Sequence, residues 1–380
     1  MSRRASLAGE VGGASADLGT LLPIMLGAIA VAGLAPGGVL TGFGVFLIAT
    51  GLYFRLPLPV QPMKAIGAVI LTGGLSSGEV AAAGIATGLM LLVLGATGAI
   101  GWMARVVPRS AVLGLQVGLG LAMAWLGAKL FGTGPLAGGV ALAVLLGLPR
   151  LAPGAPAAPL ALLAAVAVAC AADGATLDWR WPAYAPALPG LVQPVSWEEA
   201  WRGLWVGALP QLPLTLTNAV ILTALLAREL FPGAAVHVTE RRLSLSTGAA
   251  NLLLAPLGAM PMCPGASGLV AQHRFGARTG LAPALLGLVL LVLGLGFAAD
   301  AAVLLGAVPR GALGALLLVA GGDLALSRRL FEARADCRPA IAATALGTLL
   351  LDPSVGLAAG WLTEGARRLL RPESQSADRA

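Results

Sequence analysis

The chain has 380 residues, of which 58% are hydrophobic and only 11% are charged. Soluble domains carry roughly 25% charged residues, so this composition excludes a water-soluble protein. The formal net charge is +7, and the basic residues are spread over short connections. They are not gathered with aromatic residues on one face, which argues against a nucleic-acid partner. Membrane topology explains their distribution better.

Apolar segments begin soon after the N-terminus and fill the first half of the chain. The opening residues lack a compact apolar stretch that ends in a cleavage site, so the first segment is predicted to stay in the membrane. A bilayer is crossed by about 20 apolar residues. On that scale residues 1–176 are predicted to contain seven spans, at 15–35, 37–54, 60–76, 80–103, 107–130, 135–149 and 157–172.

A polar interval separates the two halves. Its residues 177–202 are predicted to form an extracytoplasmic connector. At the far edge of this interval Trp197, Trp201 and Trp205 recur every four residues, which predicts a helix lying in the headgroup region with one aromatic face. A ligand-stacking role for these side chains is the alternative.

The second half repeats the pattern of the first. Residues 203–371 are predicted to contain seven more spans, and the short tail at 372–380 is predicted to be disordered. The second series of spans lies at 203–227, 243–258, 264–279, 281–299, 303–325, 338–351 and 353–369.

Two short motifs relate the halves to each other. LPVQP at 58–62 is answered by MPMCP at 260–264, and VPR at 107–109 is answered by VPR at 308–310. The offsets are 202 and 201 residues, and this agreement indicates an internal duplication. An odd number of spans in each half makes the halves inverted with respect to each other, which is a common plan of secondary transporters.

The basic residues test this topology independently. With the N-terminus inside, 19 of the 24 lysine and arginine residues fall on the cytoplasmic side. Only Arg180, Arg202 and Arg310 fall outside, while Lys64 and Lys129 lie within the membrane. This bias follows the positive-inside rule. The chain is therefore predicted to be a multi-pass protein of the inner (plasma) membrane with both termini in the cytoplasm.

The segment with the clearest chemistry lies at 53–69. Pro57, Pro59 and Pro62 cannot sit inside a continuous helix, because each lacks an amide donor and restricts the residue before it. The stretch at 258–272 has the same build. Non-helical backbone at membrane depth is tolerated only where protein or a watery cavity surrounds it. Spans 3 and 10 are therefore predicted to be broken half-helices that face each other, with simple proline kinks as the alternative.

The start of each half-helix is predicted to bind an anion, because its free amides and the positive end of its dipole point at one place. A charge at the bilayer centre costs about 2.5–3.5 kcal/mol, so charged residues at that depth are functional candidates. Asp17 and Asp323 are candidates for proton coupling, with pairing to Lys64 or helix capping as alternatives. For Lys64 itself the alternative to anion binding is a structural ion pair. The predicted substrate-binding residues are Gln61, Met63, Lys64, Gly265, Ala266 and Ser267, with Thr20, Gln116 and Gln211 as weaker candidates.

No cofactor and no metal site are predicted. Cys170, Cys263 and Cys337 are too few and too scattered for a disulfide framework, and neither CxxC nor HExxH spacing occurs. A membrane enzyme with Cys263 as nucleophile and His273 as base is the alternative from a different class. Nucleophilic catalysis needs a base within hydrogen-bond reach and an orienting group, and the spacing establishes neither. The chain is therefore predicted not to be an enzyme.

Four motifs resemble a known family. GEVGGASADLGTLLP at 9–23, LPVQPMKAI at 58–66, ALPQLPLTLTNAVI at 208–221 and MPMCPGASGLVAQHRFGARTG at 260–280 are similar to the molybdate transporters related to the sulfate-permease (SulP) superfamily. The resemblance runs through about 12–330. It implies an all-α polytopic membrane protein with a 7+7 inverted-repeat fold, in which a core of spans one to four and eight to eleven moves against a gate formed by the others.

The predicted function is secondary active transport of a tetrahedral oxyanion by alternating access, with molybdate uptake implied by the resemblance and proton coupling as a further hypothesis. A transporter of sulfate or another small anion, and an anion channel, are the alternatives, because molybdate and sulfate are both tetrahedral dianions. Pro264, Ser267 and His273 depart from the family's usual motifs beside the presumed site and bear on that choice. The predicted partners are molybdate, with tungstate or sulfate as alternatives, and the lipid bilayer, and a homodimer is left open.

Overall fold

The computed structural model describes residues 6–16, 18–102, 108–152, 155–173, 183–192, 194–301 and 308–369. Most of these residues are helical. In the first half a short strand, β1 (Val60–Pro62), separates the third helix from the fourth. The helices of this half are α1 (Leu7–Ala16), α2 (Leu18–Ala30), α3 (Pro36–Phe54), α4 (Lys64–Leu71), α5 (Ser77–Thr97), α6 (Arg109–Gly132), α7 (Pro135–Leu151) and α8 (Ala157–Asp173).

The second half has a corresponding strand, β2 (Met262–Pro264), placed between two helices. Its first helix, α9 (Trp197–Leu230), contains two π-helical stretches, Gly203–Ala208 and Thr215–Leu222. The remaining helices are α10 (Glu240–Leu254), α11 (Ala266–Arg274), α12 (Leu281–Gly296), α13 (Arg310–Ala325), α14 (Arg328–Phe331), α15 (Arg338–Leu350) and α16 (Pro353–Leu369).

Five helical stretches of the described chain are long and apolar enough to cross a bilayer, namely α3, α5, α6, α9 and Arg310–Phe331. Helices α1 and α2 together make a sixth, bent by 44° at their junction. Helices α7, α8 and α12 are apolar but shorter. The multi-pass membrane protein predicted from composition is therefore confirmed, while the count of fourteen spans stays a prediction.

The N-terminal helix begins earlier than the sequence predicts, because α1 starts at Leu7 and not near residue 15. Glu10 gives the physical reason. Its side chain is only 1% exposed, and its carboxylate accepts hydrogen bonds from the backbone amides of Arg278 at 2.9 Å, Thr279 at 3.0 Å and Ala282 at 3.2 Å. The Ala282 amide lies in the first turn of α12 and the other two lie just before the helix, where a negative charge is favoured by the helix dipole. The hydrophobic pattern of the sequence does not predict α1, because the polar contacts of Glu10 hold this helix in place.

The predicted aromatic face lies in the first turns of α9. The rings of Trp201 and Trp205 stack with their centroids 6.1 Å apart, and Trp197 is 83% exposed. The helix runs without a break from this connector segment to Leu230, so the connector helix and the eighth predicted span are one continuous helix. Its position in the headgroup region stays a prediction.

The helices pack as two groups. In the first group α1–α5 and α9–α12 lie together, with α3 along α12 and α5 along α10. In the second group α6–α8, α13, α15 and α16 lie together, with α6 along α13 at the centre. These groups correspond in sequence to the core and the gate that the resemblance implies, and their relative motion stays a prediction.

Glycine pairs allow the core helices to approach closely. A Cβ on Gly44 or on Gly287 would lie 2.8 Å from the carbonyl oxygen of the other, which only glycine tolerates at the α3–α12 crossing. Gly88 and Gly248 have the same reciprocal relation at the α5–α10 crossing. Gly248 follows Gly44 by 204 residues and Gly287 follows Gly88 by 199, close to the offsets of the repeated motifs. The α3–α12 and α5–α10 crossings therefore lie at equivalent positions of the two halves, as an internal duplication predicts.

Candidate anion-binding site

The two proline-rich segments pair with each other inside the core group. Strands β1 and β2 are antiparallel, with Gln61 opposite Cys263 at their middle. The amide of Gly265 extends the pairing by donating to the carbonyl oxygen of Pro59 at 3.3 Å. Gln61 and Cys263 are 202 positions apart, which is the offset between the repeated motifs. The breaks predicted in spans 3 and 10 are therefore present, and they meet.

A half-helix leaves each strand. Helix α4 begins at Lys64 directly after β1, and α11 begins at Ala266 directly after β2. Because the strands are antiparallel, the helices run in opposite directions while their N-termini stay near the shared strand pair. Each helix N-terminus carries about half a positive charge from its dipole. The two helix dipoles therefore favour a negative charge next to the strand pair.

The two helix starts differ in how their amides are used. At α4 the side-chain oxygen of Gln211 accepts from the amide of Ala65 at 2.8 Å and from that of Ile66 at 3.4 Å. The side-chain nitrogen of Gln211 in turn donates to the hydroxyl of Thr215 at 2.9 Å. Gln211 therefore caps α4 from a distant helix, in the manner of a neutral N-cap.

The start of α11 lacks such a cap. Among the described residues, the amides of Ala266, Ser267 and Gly268 have no hydrogen-bond acceptor. These are the orphan donors that every helix N-terminus presents. The amides at the start of α11 are therefore available to an anion, whereas the amides of Ala65 and Ile66 at the start of α4 are already hydrogen-bonded to Gln211.

A cavity of about 280 Å³ lies against these helix starts and is called the anion cavity below. It brings together seven of the nine residues predicted to bind substrate, namely Gln61, Lys64, Gln116, Gln211, Gly265, Ala266 and Ser267. Its remaining walls come from the strands, from α9 and from the end of α13: Pro62, Leu214, Asn218, Ala219, Leu222, Cys263, Pro264, Leu324, Ser327 and Arg329.

The lining of this cavity is cationic. It contains Lys64 and Arg329, and no aspartate or glutamate among the described residues. Lys64 is half-buried and makes no hydrogen bond or ion pair within the described parts of the chain. Its ammonium acts electrostatically on Asp323, although the two side chains form no salt bridge in the described structure. A half-buried ammonium group that has no salt-bridge partner among the described residues favours binding of an anion.

Four predicted residues do not line the cavity. Met63 is fully buried at the N-cap of α4. Thr20 is half-buried on α2. Asp323 is exposed on α13 and is not among the lining residues, although its neighbour Leu324 is. Asp17 lies outside the described residues.

Arg329 is the main site residue that the sequence analysis missed. Positive-inside counting explained it as a cytoplasmic charge, yet the fold turns it towards the cavity, where its guanidinium donates to the side-chain oxygen of Asn218 at 3.0 Å. The sequence contains a weak signal for both residues, because Asn218 belongs to a polar run in an apolar helix and Arg329 closely follows Asp323. Only tertiary packing joins the two.

A second cavity, of about 590 Å³, adjoins the first and is called the vestibule below. The two cavities share Gln116, Leu222 and Arg329 as lining residues. The vestibule is also lined by Arg109 and Arg334. The anion cavity therefore continues through the vestibule towards these two arginines.

Cys263 and His273, the pair considered above as nucleophile and base, lie on β2 and α11. No group of three or more histidine, cysteine, aspartate or glutamate side chains among them is placed to hold a metal ion. The ring of His273 packs edge-on against Phe231 at 5.2 Å, while Cys263 lies on β2 in the cavity wall. The cavity is built for binding by amides, hydroxyls and cations.

Comparison with known proteins identifies the family. A family model described as a molybdate transporter of the MFS superfamily matches residues 9–123 and 203–324. The chain is 31% identical to molybdate transporter 2 of Arabidopsis thaliana, over 87% of this chain and 81% of that protein. The chain belongs to the molybdate transporter family. This transporter is also 32% identical to molybdate transporter 1 of Chlamydomonas reinhardtii, over 94% of this chain and 92% of that protein. Since these relatives are transporters, the enzyme alternative is excluded.

Solved structures identify the fold. The transmembrane domain of the cyanobacterial bicarbonate transporter BicA matches 94% of this transporter and 98% of its own length, with a TM-score of 0.68 and 17% identity. Murine Slc26a9 in its inward-facing state matches 97% of this transporter and 69% of its own length, with a TM-score of 0.70 and 14% identity. These similarities show that this transporter shares the fold of the two proteins.

Proposed function

We propose that this transporter carries molybdate across the membrane as a secondary active transporter and binds the dianion between the half-helices α4 and α11. The observation that carries the proposal is the cavity at the two helix starts, which is lined by Lys64 and Arg329 without a carboxylate among the described residues. Two helix dipoles supply about one unit of positive charge, and Lys64 supplies another. Their sum of about two units matches a tetrahedral dianion.

The groups around the cavity divide into ligands and supports. The amides of Ala266, Ser267 and Gly268 and the Ser267 hydroxyl bind the oxygens at α11, and Lys64 binds them at α4. The side chain of Gln116 lines the cavity and has no hydrogen-bond partner among the described residues, so it is available to the anion as well. Gln211 supports the site by holding α4 in place.

Gln61 and Gly265 act together. A Cβ on Gly265 would collide with the Gln61 side-chain amide, so the glycine leaves room for that amide beside the start of α11. Gln61 is 2% exposed and lines the cavity. Its amide orients an anion oxygen. Met63 is fully buried at the N-cap of α4 and contributes through packing there. The role of Thr20 stays a prediction.

Transport proceeds by alternating access, with the core group moving against the gate group. The vestibule leads from the anion cavity to Arg109 and Arg334, and we assign that face to the cytoplasm because of the positive-inside rule. Both termini are then cytoplasmic, in a 7+7 inverted repeat of the plasma membrane. Labelling of a cysteine introduced at Ser196 tests this topology, since reaction from the cytoplasmic side alone would contradict it.

Uptake by the purified protein in proteoliposomes tests the proposed function. We expect saturable, concentrative molybdate uptake that tungstate inhibits strongly and sulfate weakly. Stronger inhibition by sulfate than by molybdate's close analogue tungstate would assign the transporter to sulfate. Conductance without saturation or concentrative uptake would assign it to the anion channels.

We expect uptake to be coupled to protons. Moving a dianion against an inside-negative potential of 100 mV costs about 4.6 kcal/mol, at roughly 2.3 kcal/mol for each charge. Collapsing the proton gradient should therefore stop concentrative uptake, and Asp17→Asn or Asp323→Asn should leave exchange of molybdate while removing its accumulation. Glu229→Gln, at an exposed position, is the control. Undiminished accumulation without a proton gradient would refute the coupling.

A further inference from the structure

Arg329 connects the two helix groups on the open side of the cavity. It lies on α14, which continues from the gate helix α13. Its guanidinium donates to Asn218 at 3.0 Å, and Asn218 belongs to the π-helical stretch of the core helix α9. The hydrogen bond therefore crosses the boundary between gate and core.

The same residue lies at the passage between the two cavities. Three of the described residues line both the anion cavity and the vestibule, namely Arg329, Gln116 and Leu222. Of these three side chains, Arg329 alone is charged. Its guanidinium is therefore the charged group that the two cavities have in common.

The guanidinium retains donors for a ligand. Arginine has five N–H donors in a planar fork, and the bond to Asn218 uses one of them. Among the described residues Arg329 forms no ion pair, although Glu332 also lines the vestibule. Arginine forks match the oxygens of tetrahedral anions, which they bind through paired charge-assisted hydrogen bonds.

We propose that Arg329, held in place by Asn218, is the second cationic ligand of the transported oxyanion and gives the site its preference for a dianion over a monoanion. This inference rests on the proposed function, because it assigns a ligand within the same cavity. The Coulomb attraction between the guanidinium and an anion is proportional to the charge of the anion, so Arg329 stabilises a bound dianion about twice as much as a bound monoanion. Loss of Arg329 therefore weakens dianion binding more than monoanion binding.

Binding of molybdate and of perrhenate to the purified full-length protein tests this. Perrhenate is a tetrahedral oxyanion with a single negative charge. We expect Arg329→Gln to raise the molybdate Kd at least 10-fold and the perrhenate Kd less than 3-fold, with an unchanged melting temperature of the empty protein. Arg329→Lys, which keeps the charge, should recover most of the molybdate affinity. Arg241→Gln, at an exposed arginine that lines neither cavity, is the matched control.

Equal Kd values for Arg329→Gln and Arg241→Gln would overturn the inference, as would equal losses for both anions. If Arg329→Gln does not fold, Asn218→Asp replaces it, because a carboxylate at that position neutralises the guanidinium and should raise the molybdate Kd at least 10-fold. An unchanged Kd in Asn218→Asp would again overturn the inference. Failure of the wild-type protein to bind molybdate would instead refute the proposed function.

Discussion

Replacing Lys64 with methionine is expected to raise the molybdate Kd by about 10- to 100-fold, because hydrogen bonds to a charged group contribute about 1.5–3 kcal/mol. Lys64 lies at the first position of α4, lines the anion cavity and has no hydrogen bond or ion pair among the described residues. Methionine keeps most of the length of the side chain and removes its charge. Isothermal titration of the purified variant with molybdate measures the change.

Lys129→Met is the matched control for this substitution. Lys129 also lies in a membrane-spanning helix, but its ammonium sits 5.5 Å from the ring centroid of Trp125 and does not line the anion cavity. Its replacement should leave the molybdate Kd within about 2-fold of the wild-type value, because a distant charge is screened. An unchanged Kd in Lys64→Met, with a normal melting temperature, would remove Lys64 from the site and return it to a structural role.

Replacing Glu10 with alanine is expected to lower the free energy of unfolding by about 2–3 kcal/mol, since three backbone amides at the start of α12 lose a charged acceptor. The loss is large because the carboxylate is 1% exposed, so water does not easily replace it. Helix α1 should also loosen from α11 and α12, against which it packs. Thermal unfolding in detergent, together with hydrogen exchange of residues 7–16, measures both effects.

Two further variants serve as controls for Glu10→Ala. Glu10→Gln keeps an acceptor oxygen and loses the charge, so it should fall between alanine and the wild-type protein. Glu229→Ala, at an exposed glutamate near the end of α9, should unfold at the wild-type temperature. Equal stability of Glu10→Ala and the wild-type protein would show that the amides at the start of α12 do not depend on this cap.

The core of the site was predictable from local sequence. Pro57, Pro59 and Pro62 fall within six residues, and such a cluster of residues without an amide donor disfavours a continuous helix, so the broken span was predictable from local sequence. The recurrence of the motif 202 residues later predicted that two such breaks exist, and the strand pairing of Gln61 with Cys263 brings them together. Composition fixed the membrane environment, because a chain with so few charges cannot be covered by water.

Tertiary structure alone decided which polar groups face the anion. Gln211 and Gln116 are equivalent in composition, yet the first caps the amides of α4 while the second has no partner among the described residues. Arg329 and Glu10 could not be found from hydrophobic periodicity, because hydrogen bonds to residues far away in sequence position them: Asn218 for Arg329, and the amides of residues 278, 279 and 282 for Glu10. Helix and strand patterns arise from neighbours along the chain, whereas a charge is stabilised by whichever dipoles and ions the packed fold brings near it.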